Sequence, residues 1–307
     1  MNPKLKLALA ALAAGLAAGA QAADYTMRLS HQFPPAHHSA KNLEQFAKDV
    51  KANTGGKVEV QIFGAAQLFK PAQHHAAVAG GKIESAAVLS FQWGGTIPEM
   101  NVTVIPYFMS SVDKMRRFRG SEAQKMLDAK MADKGVLNIA WFMDANDGIF
   151  TSAKKALVTP ADFKGVKVRG LSKLFDAGLA AMGASPSPMP APEVYQALQT
   201  GVIDAGFTGV KAANSRRFYE VQKFGVASNI ILAYDNLIVN PAWWNALPAD
   251  LRKGILDAVA KAEARAIPAA DGIPDADIQV LREKGMNVTV LTQAQEKVMA
   301  EAMQPAV

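Results

Sequence analysis

Residues 160–169 have the sequence PADFKGVKVR, and this short stretch decides the fold class. Thr159, followed by Pro160 at the first helical position, is typical of an N-capped helical turn. Gly165 ends that turn, and the residues after it form a short apolar strand that ends at Arg169. A helical turn that leads directly into a strand is typical of an α/β protein, so we expect helices and strands to alternate along the chain.

The same alternation continues on both sides of this stretch. A helical pattern at 171–182 ends at Gly183, and a second pattern at 193–200 ends at Gly201 before another strand. Upstream, the predicted elements are strand 25–30, helix 39–51, strand 57–63, helix 71–79, strand 86–89, helix 112–134 and strand 136–142. Such alternation predicts a parallel or mixed sheet that is covered on both faces.

The length and spacing of these units predict an α/β protein with two lobes and mixed sheets, since one domain usually holds roughly 100–200 residues. Strands at 237–240 and 286–291 come late enough that the chain must cross between lobes several times, and we expect the long helix at 247–270 to be shared by both. Proteins of this kind usually bind a ligand in the cleft. The predicted organisation is a signal peptide at 1–22, lobe I at 23–147 plus 235–270, and lobe II at 148–234 plus 271–307.

Residues 1–22 are predicted to be a secretory signal peptide. Lys4 and Lys6 precede an apolar run at 7–18, and the small residues Ala20 and Ala22 follow at the positions of a cleavage site. The apolar run is shorter than the stretch of about 20 residues that a transmembrane helix needs. An exported chain without cysteine fits the bacterial periplasm, so we predict a periplasmic location.

The composition excludes several classes of protein. A chain with no cysteine has no disulfide scaffold, no cysteine-ligated metal site and no thiol nucleophile. The 33 Lys+Arg residues exceed the 27 Asp+Glu residues, but the densest basic cluster, at 114–119, has the apolar spacing of a solvated helix. A nucleic-acid-binding protein would gather its charge in a patch with interleaved aromatic residues, so we predict no nucleic-acid partner.

Metal and catalytic motifs are not evident. The five histidines all lie within residues 31–75. The adjacent pairs His37-His38 and His74-His75 should diverge, and neither has the spacing that brings ligands to one point, so we predict no metal and no cofactor. The sequence also lacks the Gly-x-Ser-x-Gly, Walker A and Gly-x-Gly-x-x-Gly patterns. The sequence therefore lacks the usual motifs for acyl transfer, nucleotide hydrolysis and dinucleotide binding, and we predict that the protein is not an enzyme.

Arg169 is the first candidate for ligand binding. It ends an apolar strand directly before Gly170 and the next helix, and clefts form at the carboxyl ends of strands in α/β sheets. Its guanidinium group offers a planar fork of donors that matches a carboxylate. A surface or interlobe salt bridge is the alternative interpretation, because arginine is common at strand ends.

Three segments carry a resemblance to a known family, namely 160–169 (PADFKGVKVR), 182–190 (MGASPSPMP) and 193–204 (EVYQALQTGVID). Together they resemble the core signature of DctP-type solute-binding proteins, the extracytoplasmic receptors of TRAP (tripartite ATP-independent periplasmic) transporters. Supporting matches are His31-Gln32-Phe33, 55–58, Gln67-Leu68, Trp243 and 247–251. The resemblance implies a two-lobed periplasmic-binding-protein fold, a ligand carboxylate bound by Arg169, and TRAP permease membrane subunits as partners.

The chain departs from the family pattern near the expected pocket. Many members carry a second arginine where this chain has Asp147-Gly148, and an asparagine where it has Thr208. Ala191 replaces an aromatic residue of the sialic-acid receptors, and Leu89 replaces their acidic pocket residue. The resemblance then implies a single cationic clamp in a less polar pocket, so we predict that the ligand is a small organic monocarboxylate with a partly apolar body.

The other predicted ligand-binding residues are aromatic side chains that could wall the ligand and polar side chains that could bind hydroxyl, keto or amide groups. The predicted set is Arg169, Thr208, Gln32, Phe33, Ser90, Gln92, Trp93, Phe150, Phe207 and Asn236, with Phe91 as a further wall. For each aromatic residue, ordinary core packing is the alternative. Candidate ligands are aromatic acids, small 2-oxo or 2-hydroxy acids, and cyclic amides such as pyroglutamate.

Two other functions stay open on the sequence alone. A secreted hydrolase or lyase could use Asp147 or Asp204 as a base while Arg169 holds the substrate, but catalysis also needs a matched second titratable group. A histidine-based metal carrier is the third interpretation. We favour a monomeric receptor that binds one monocarboxylate and delivers it to a TRAP permease.

Overall fold

A computed structural model describes residues 23–109 and 111–304, so the predicted signal peptide at 1–22 lies outside the described residues. In chain order the strands are β1 (Tyr25–Ser30), β2 (Val58–Phe63), β3 (Ser85–Leu89), β4 (Leu137–Ala145), β5 (Gly148–Ser152), β6 (Lys167–Gly170), β7 (Ser185–Pro188), β8 (Ala205–Thr208), β9 (Phe224–Ser228), β10 (Ala233–Val239) and β11 (Asn287–Val290). The helices are α1 (His38–Asn53), α2 (His74–Ala79), α3 (Val112–Phe118), α4 (Glu122–Asp133), α5 (Lys173–Ala181), α6 (Ala191–Gln199), α7 (Val210–Ser215), α8 (Pro241–Ala246), α9 (Ala249–Ala269), α10 (Asp275–Glu283) and α11 (Gln293–Met303).

The first sheet has five strands in the order β2-β1-β3-β10-β4. β1 pairs in parallel with β2 and β3, whereas β10 is antiparallel to both β3 and β4. The sheet is therefore mixed, as predicted. Helices α1 and α9 cover one side of it, and we call this sheet with its helices the first lobe.

The second sheet has six strands in the order β11-β9-β5-β8-β6-β7. β6 is parallel to β7 and β8, whereas β5 is antiparallel to β8 and β9. The stretch that decides the fold lies here: Asp162 caps a short 3-10 turn by accepting from Thr159, and Gly165 (φ +74°) turns the chain into β6. We call this sheet with its helices the second lobe.

The chain crosses between the lobes several times. It passes from β4 to β5, returns from β9 to β10, and leaves the first lobe again after α9 to form α10 and β11. The predicted fold class, with two mixed sheets and repeated crossings, is therefore confirmed. The lobe boundaries at 147/148, 234/235 and 270/271 stay a prediction. Within the described residues, no helix is long and apolar enough to cross a membrane.

The predicted helix at 112–134 is two helices, α3 and α4. Gly120 has φ +73° and allows the chain to turn. The hydroxyl of Ser121 then accepts a hydrogen bond from the backbone of Gln124 at 3.2 Å and begins α4. The apolar spacing continues through both helices, which is why the sequence pattern does not reveal the cap.

The long helix α9 packs chiefly against α1 and β4 of the first lobe, so the prediction that both lobes share it is corrected. Its buried residues lie at helical spacing along one face, and several are small: Leu251, Gly254, Ile255, Ala258, Val259, Ala262 and Ala266. A Cβ on Gly254 would lie 3.0 Å from Thr54, which shows how closely α9 approaches the end of α1. One narrow apolar face can serve only one partner surface, and here α1 and β4 provide it.

Four phenylalanines form an aromatic cluster beneath β6 and β8 in the second lobe. The Phe207 ring lies 4.5 Å from Phe150 and 4.6 Å from Phe175, and Phe163 meets Phe150 at 4.9 Å. All four side chains are buried. The cluster joins β5 and β8 to α5 and to the turn that precedes β6.

Candidate ligand-binding site

A narrow cavity lies between the two sheets, where strands of both lobes end. β1, β3 and β4 reach it from the first lobe, and β6 and β8 reach it from the second. Its first-lobe residues are Phe33, His37, Leu89, Phe91, Asp144, Ala145 and Ala233, and Ile231 lies in the crossing segment. Its second-lobe residues are Arg169, Leu171, Ala191, Phe207, Thr208, Gly209, Ala212 and Arg216. The carboxyl ends of strands thus form the cleft expected of this fold class.

Arg169 is held rigidly at the end of β6. Its side chain is only 2% exposed. Nη1 donates to the carbonyl of Phe207 at 2.7 Å, and Nε donates to the carbonyl of Met189 at 3.2 Å. Nη2 has no partner in the described part of the chain. Two backbone carbonyls therefore fix the guanidinium plane, while the two N–H groups of Nη2 are left to donate to another molecule.

The charge of Arg169 has no direct counterion among the described residues. The pKa of Arg169 is lowered to about 9, chiefly by burial and also by the charge of the nearby Arg216, while Asp176 acts in the opposite direction. Asp176 accepts from the backbone of Leu171 at 2.9 Å and makes no ion pair with Arg169. The group stays protonated at neutral pH, and a buried cation of this kind is costly unless an anion approaches it.

Arg216 is a second cation that lines the same cavity, in addition to the predicted clamp Arg169. It directly follows α7 and is partly buried. Nη2 donates to the carbonyl of Gln32 across the cleft at 3.3 Å, and Nε is enclosed without a partner among the described residues. Burial lowers the pKa of Arg216 to about 10, while Asp144 raises it. The family position at Asp147-Gly148 lacks its arginine, but another element supplies a guanidinium.

A periodic signal in the sequence points to Arg216 once α7 is placed at the cleft. Gly209, Ala212 and Arg216 follow one another at spacings of three and four residues, which is the period of one helix face. All three line the cavity. In the sequence, however, Arg216 stands beside Arg217, which is exposed, and such a pair looks like an ordinary solvated surface.

Asp144 is the carboxylate of the cavity. The hydroxyl of Ser39 donates to its Oδ1 at 2.6 Å, and Nε2 of His38 lies 2.8 Å from its backbone carbonyl. Asp235 lies beside it in the first lobe, and burial raises the pKa of Asp235 well above its usual range, to which the charge of Asp144 adds. Burial therefore favours the protonated form of Asp235.

His37 contributes a neutral donor. Its Nδ1 accepts from the backbone of Ser39 at 3.2 Å and thereby caps α1. Burial lowers the pKa of His37 well below its usual range, with the charges of His38 and Arg216 adding to the effect. In a neutral ring whose Nδ1 is an acceptor, the hydrogen lies on Nε2. No described group accepts from that Nε2.

His37, His38 and Asp144 also come close enough to be tested as a metal site, with ligand atoms within 4.8 Å of one another. The two imidazole rings do not diverge as expected but stack, with centroids 4.5 Å apart and an interplanar angle of 27°. The lone pairs of stacked rings run side by side instead of meeting at one ion, as tetrahedral coordination requires. The absence of a metal stays a prediction.

Four of the ten predicted ligand-binding residues line the cavity together. Arg169 and Thr208 supply polar atoms, and Phe33 and Phe207 supply apolar walls. Phe91, the further candidate wall, also lines it, as do the substituted positions Leu89 and Ala191.

The predicted polar residues of the first lobe are engaged in protein contacts. Gln92 donates to the side chain of Gln32 at 3.3 Å, and the backbone of Gln32 accepts from Arg216. The Ser90 hydroxyl accepts from Thr103 at 3.0 Å and from a backbone amide at 3.3 Å. These residues support the loops behind the cavity, and their role toward a ligand stays a prediction.

Three further predicted residues lie away from the cavity lining. Trp93 packs on the ring of His75 at 4.8 Å, and Phe150 belongs to the aromatic cluster of the second lobe. Asn236 is fully buried in β10, and its side-chain amide has no partner among the described residues. We have no physical account of that unpaired amide. For the two aromatic residues, the packing alternative describes their surroundings.

The two aspartates considered as catalytic bases do not line the cavity. Asp147 is buried and accepts from the backbone of Val210 at 2.7 Å. Asp204 lies near the surface, where it accepts from the backbone of Lys167 at 3.1 Å and pairs with Lys154. Neither carboxylate faces a group that Arg169 would hold, so the geometry does not favour the hydrolase or lyase interpretation.

The chain is similar to known proteins in both sequence and structure. The family described as "Bacterial extracellular solute-binding protein, family 7" (DctP) matches residues 29–307. The chain is 31% identical over 277 residues to the C4-dicarboxylate-binding periplasmic protein DctP of Rhodobacter capsulatus, covering 90% of this chain and 83% of that protein.

Two solved structures are similar over nearly the whole chain. A TRAP periplasmic solute-binding protein from Desulfovibrio salexigens with bound orotic acid has a TM-score of 0.83 and 32% identity, covering 92% of this chain and 91% of that one. Another from Sulfurospirillum deleyianum with bound succinate has a TM-score of 0.84 and 27% identity, covering 92% and 93%. The chain therefore belongs to the DctP family of bacterial extracellular solute-binding proteins, the periplasmic solute receptors of TRAP transporters.

Proposed function

We propose that this protein binds one small organic monocarboxylate in the cavity between its lobes and delivers it to the membrane subunits of a TRAP permease. The observation that carries the proposal is Arg169, which is 2% exposed and has an unpaired Nη2 at the cavity. A carboxylate placed there would accept from Nη2 and neutralise a buried cation. Charge-assisted pairs of this kind are among the strongest hydrogen bonds in proteins.

The charge balance of the lining supports one carboxylate in preference to two. Arg169 and Arg216 are the cations that line the cavity, and Asp144 is the anion that lines it. Together they leave one positive charge for a ligand to match. A second ligand carboxylate would lose its hydration, and no cation without a counterion would remain to pair with it. Such an unpaired buried charge costs several kcal/mol.

The remaining walls support a compact, partly apolar ligand body. Phe33, Leu89, Phe91 and Phe207 present apolar surface, which favours burial of carbon at roughly 25 cal/mol per Å². Thr208 and Nε2 of His37 are uncharged groups that can donate to a hydroxyl or carbonyl oxygen of the ligand. Aromatic acids, 2-oxo and 2-hydroxy acids, and cyclic amides such as pyroglutamate fit this description.

A dicarboxylate is the second candidate, and Arg216 is the observation that favours it. This guanidinium lies on the same cavity, and within the part of the chain that the structure describes it makes one hydrogen bond, to the carbonyl of Gln32. The Rhodobacter capsulatus relative is named for C4-dicarboxylates, and the Sulfurospirillum deleyianum structure holds succinate. The two candidates differ in whether Asp144 or the ligand neutralises Arg216.

A thermal-shift panel separates the candidates. Orotate, pyroglutamate, lactate and benzoate represent monocarboxylates, and succinate and malate represent dicarboxylates. A ligand that binds only the folded state raises the melting temperature according to its concentration relative to its Kd. We expect the largest shift from a monocarboxylate, and expect Arg169→Ala, but not the exposed-site control Arg116→Ala, to remove it. A larger shift from succinate or malate than from every monocarboxylate would favour the second candidate.

Delivery to a permease and the monomeric state rest on family membership. Uptake of the identified carboxylate into vesicles that contain the cognate permease subunits should require this protein. Uptake of equal rate without it would contradict the proposed role. Light scattering should give the mass of a single chain with and without ligand.

A further inference from the structure

Arg216 is a cation without a direct counterion in the described chain. No carboxylate lies within salt-bridge distance of it, and its one hydrogen bond runs to the carbonyl of Gln32 at 3.3 Å. Lys211, on the same helix, is turned toward Asp277 at 3.9 Å. A group that neutralises the charge of Arg216 must therefore face the cavity.

Asp144 is the carboxylate that faces the same cavity from the opposite lobe. It is 8% exposed, and its position is fixed by the Ser39 hydroxyl at 2.6 Å and by His38 at its backbone carbonyl. Its favourable interaction with Arg216 raises the pKa of that group. Three titratable groups lie beside it: burial raises the pKa of Asp235 and lowers the pKa of His37 and of His38, whose Nε2 is 3.9 Å from Asp144 Oδ1, and so favours the uncharged form of each.

From this juxtaposition we infer that Asp144 determines whether the cavity prefers a ligand with one negative charge or with two. Its fixed carboxylate neutralises the charge of Arg216, as a second ligand carboxylate otherwise would. Only the charge of Arg169 then remains for the ligand to neutralise. This inference rests on the proposed function, because it presumes that Arg169 binds a ligand carboxylate. Asp144 is thus a specificity-determining residue that acts through charge, and it needs no contact with a monocarboxylate.

The substitution Asp144→Asn tests the inference because it removes the charge and keeps the shape and the acceptor for Ser39. With Asp144 neutral, the cavity presents two uncompensated guanidinium groups. We expect the affinity for succinate, measured by calorimetry, to rise at least tenfold. The affinity for the best-binding monocarboxylate of orotate, pyroglutamate and lactate should change by less than threefold. The control Asp113→Asn removes an exposed carboxylate of the same lobe (81% side-chain exposure) and should change neither affinity.

A double variant tests the role of Asp144 independently. Arg216→Gln combined with Asp144→Asn restores the net charge of the wild-type cavity, so its ratio of succinate to monocarboxylate affinity should return to within threefold of wild type. Arg216→Gln alone leaves Asp144 uncompensated and should weaken both classes, succinate the more. If Asp144→Asn does not fold, as judged by circular dichroism, Arg216→Gln alone still tests the inference, because equal losses of succinate and monocarboxylate affinity would contradict it.

The outcomes distinguish this inference from the proposed function. A monocarboxylate affinity that depends on Arg169, together with an unchanged succinate affinity in Asp144→Asn, would overturn the role of Asp144 and leave the receptor proposal intact. An affinity that is insensitive to Arg169→Ala would contradict the receptor proposal itself. A tenfold gain for succinate that the double variant reverses would support the inference.

Discussion

The two lobes bring opposite chemistry to the cavity between them. The second lobe supplies both guanidinium groups, Arg169 and Arg216, whereas the first lobe supplies the carboxylate of Asp144 and the uncharged ring of His37. Both lobes contribute aromatic side chains to the cavity wall, Phe33 from the first lobe and Phe207, at the end of β8, from the second. The attraction for an anion therefore resides in one lobe, and the limits on its charge and shape reside largely in the other.

This division suggests an order of events on binding. A carboxylate can meet Arg169 while the lobes are apart, because the guanidinium is fixed by carbonyls of its own lobe, Phe207 and Met189. The hydrogen bond from Arg216 to Gln32 joins the lobes and can form only when they approach. Anion capture would then precede closure, and closure would bring Asp144 toward Arg216 and the apolar wall onto the ligand.

The largest effect is expected from the second lobe. Losing one partner of a buried charged pair costs ~2–5 kcal/mol, so Arg169→Ala should weaken binding of the best monocarboxylate by roughly thirtyfold or more. Arg169→Lys should restore little, because an ammonium group cannot reproduce the planar fork. Calorimetry measures both, with Arg116→Ala as an exposed control. Unchanged affinity in Arg169→Ala would contradict the prediction that the second lobe binds the ligand carboxylate.

A smaller loss is expected from the wall of the first lobe. Phe91→Ala removes apolar surface from the cavity lining and should weaken the same ligand by about tenfold, since burying a large apolar side chain is worth ~1.5–3 kcal/mol and only part of it faces the ligand. Trp93→Phe is the matched control, because Trp93 packs on His75 away from the cavity. If the control lost more affinity than Phe91→Ala, the sequence-based choice of Trp93 as a ligand wall would be supported.

A pH effect on stability is expected at the first crossing between the lobes. Burial raises the pKa of Asp147 to about 7, whereas the unfolded chain titrates near its usual value of ~4. Between these values the folded state binds a proton that the unfolded state lacks, so this group's contribution to stability falls as pH rises from about 4 to about 7 and is constant above. Urea unfolding of Asp147→Asn, which keeps an acceptor for Val210, should show a smaller decline between pH 5 and pH 8. An equal decline in both proteins would contradict the assignment.

The smallest signal should come from closure itself. Two lobes joined by several crossings can move as rigid bodies about their connecting segments. Saturating monocarboxylate should therefore reduce the radius of gyration measured by small-angle scattering, and Arg169→Ala should remove the change at the same ligand concentration. Superimposable curves for wild-type protein with and without ligand would count against closure.

The sequence predicts local features of this molecule better than contacts between distant segments. The stretch around Pro160 and Gly165 predicts the turn and strand that the structure contains, because capping and glycine geometry act over a few residues. Arg169 is found by the same local reasoning, as the last side chain before a strand ends. The break between α3 and α4 is missed because a continuous apolar period hides the cap at Ser121.

The composition of the cavity required the packing of the chain. Arg216 and Asp144 are separated by many residues in sequence, and nothing local distinguishes Arg216 from the exposed Arg217 beside it. Gln92, by contrast, has the chemistry of a ligand-binding side chain but bonds to Gln32. Which polar residue faces a ligand and which supports a loop depends on the way the two lobes meet, and that is not encoded in short-range patterns.

The most direct test of the account is native mass spectrometry of the protein after gentle purification, alongside Arg169→Ala prepared in the same way. A receptor that closes on its ligand should retain it, and the released species can be identified by its mass and fragmentation. We predict a single small monocarboxylate in the wild-type protein and none in the variant. A retained dicarboxylate, or the same species in equal amount on Arg169→Ala, would contradict the claim that Arg169 binds a ligand with one carboxylate.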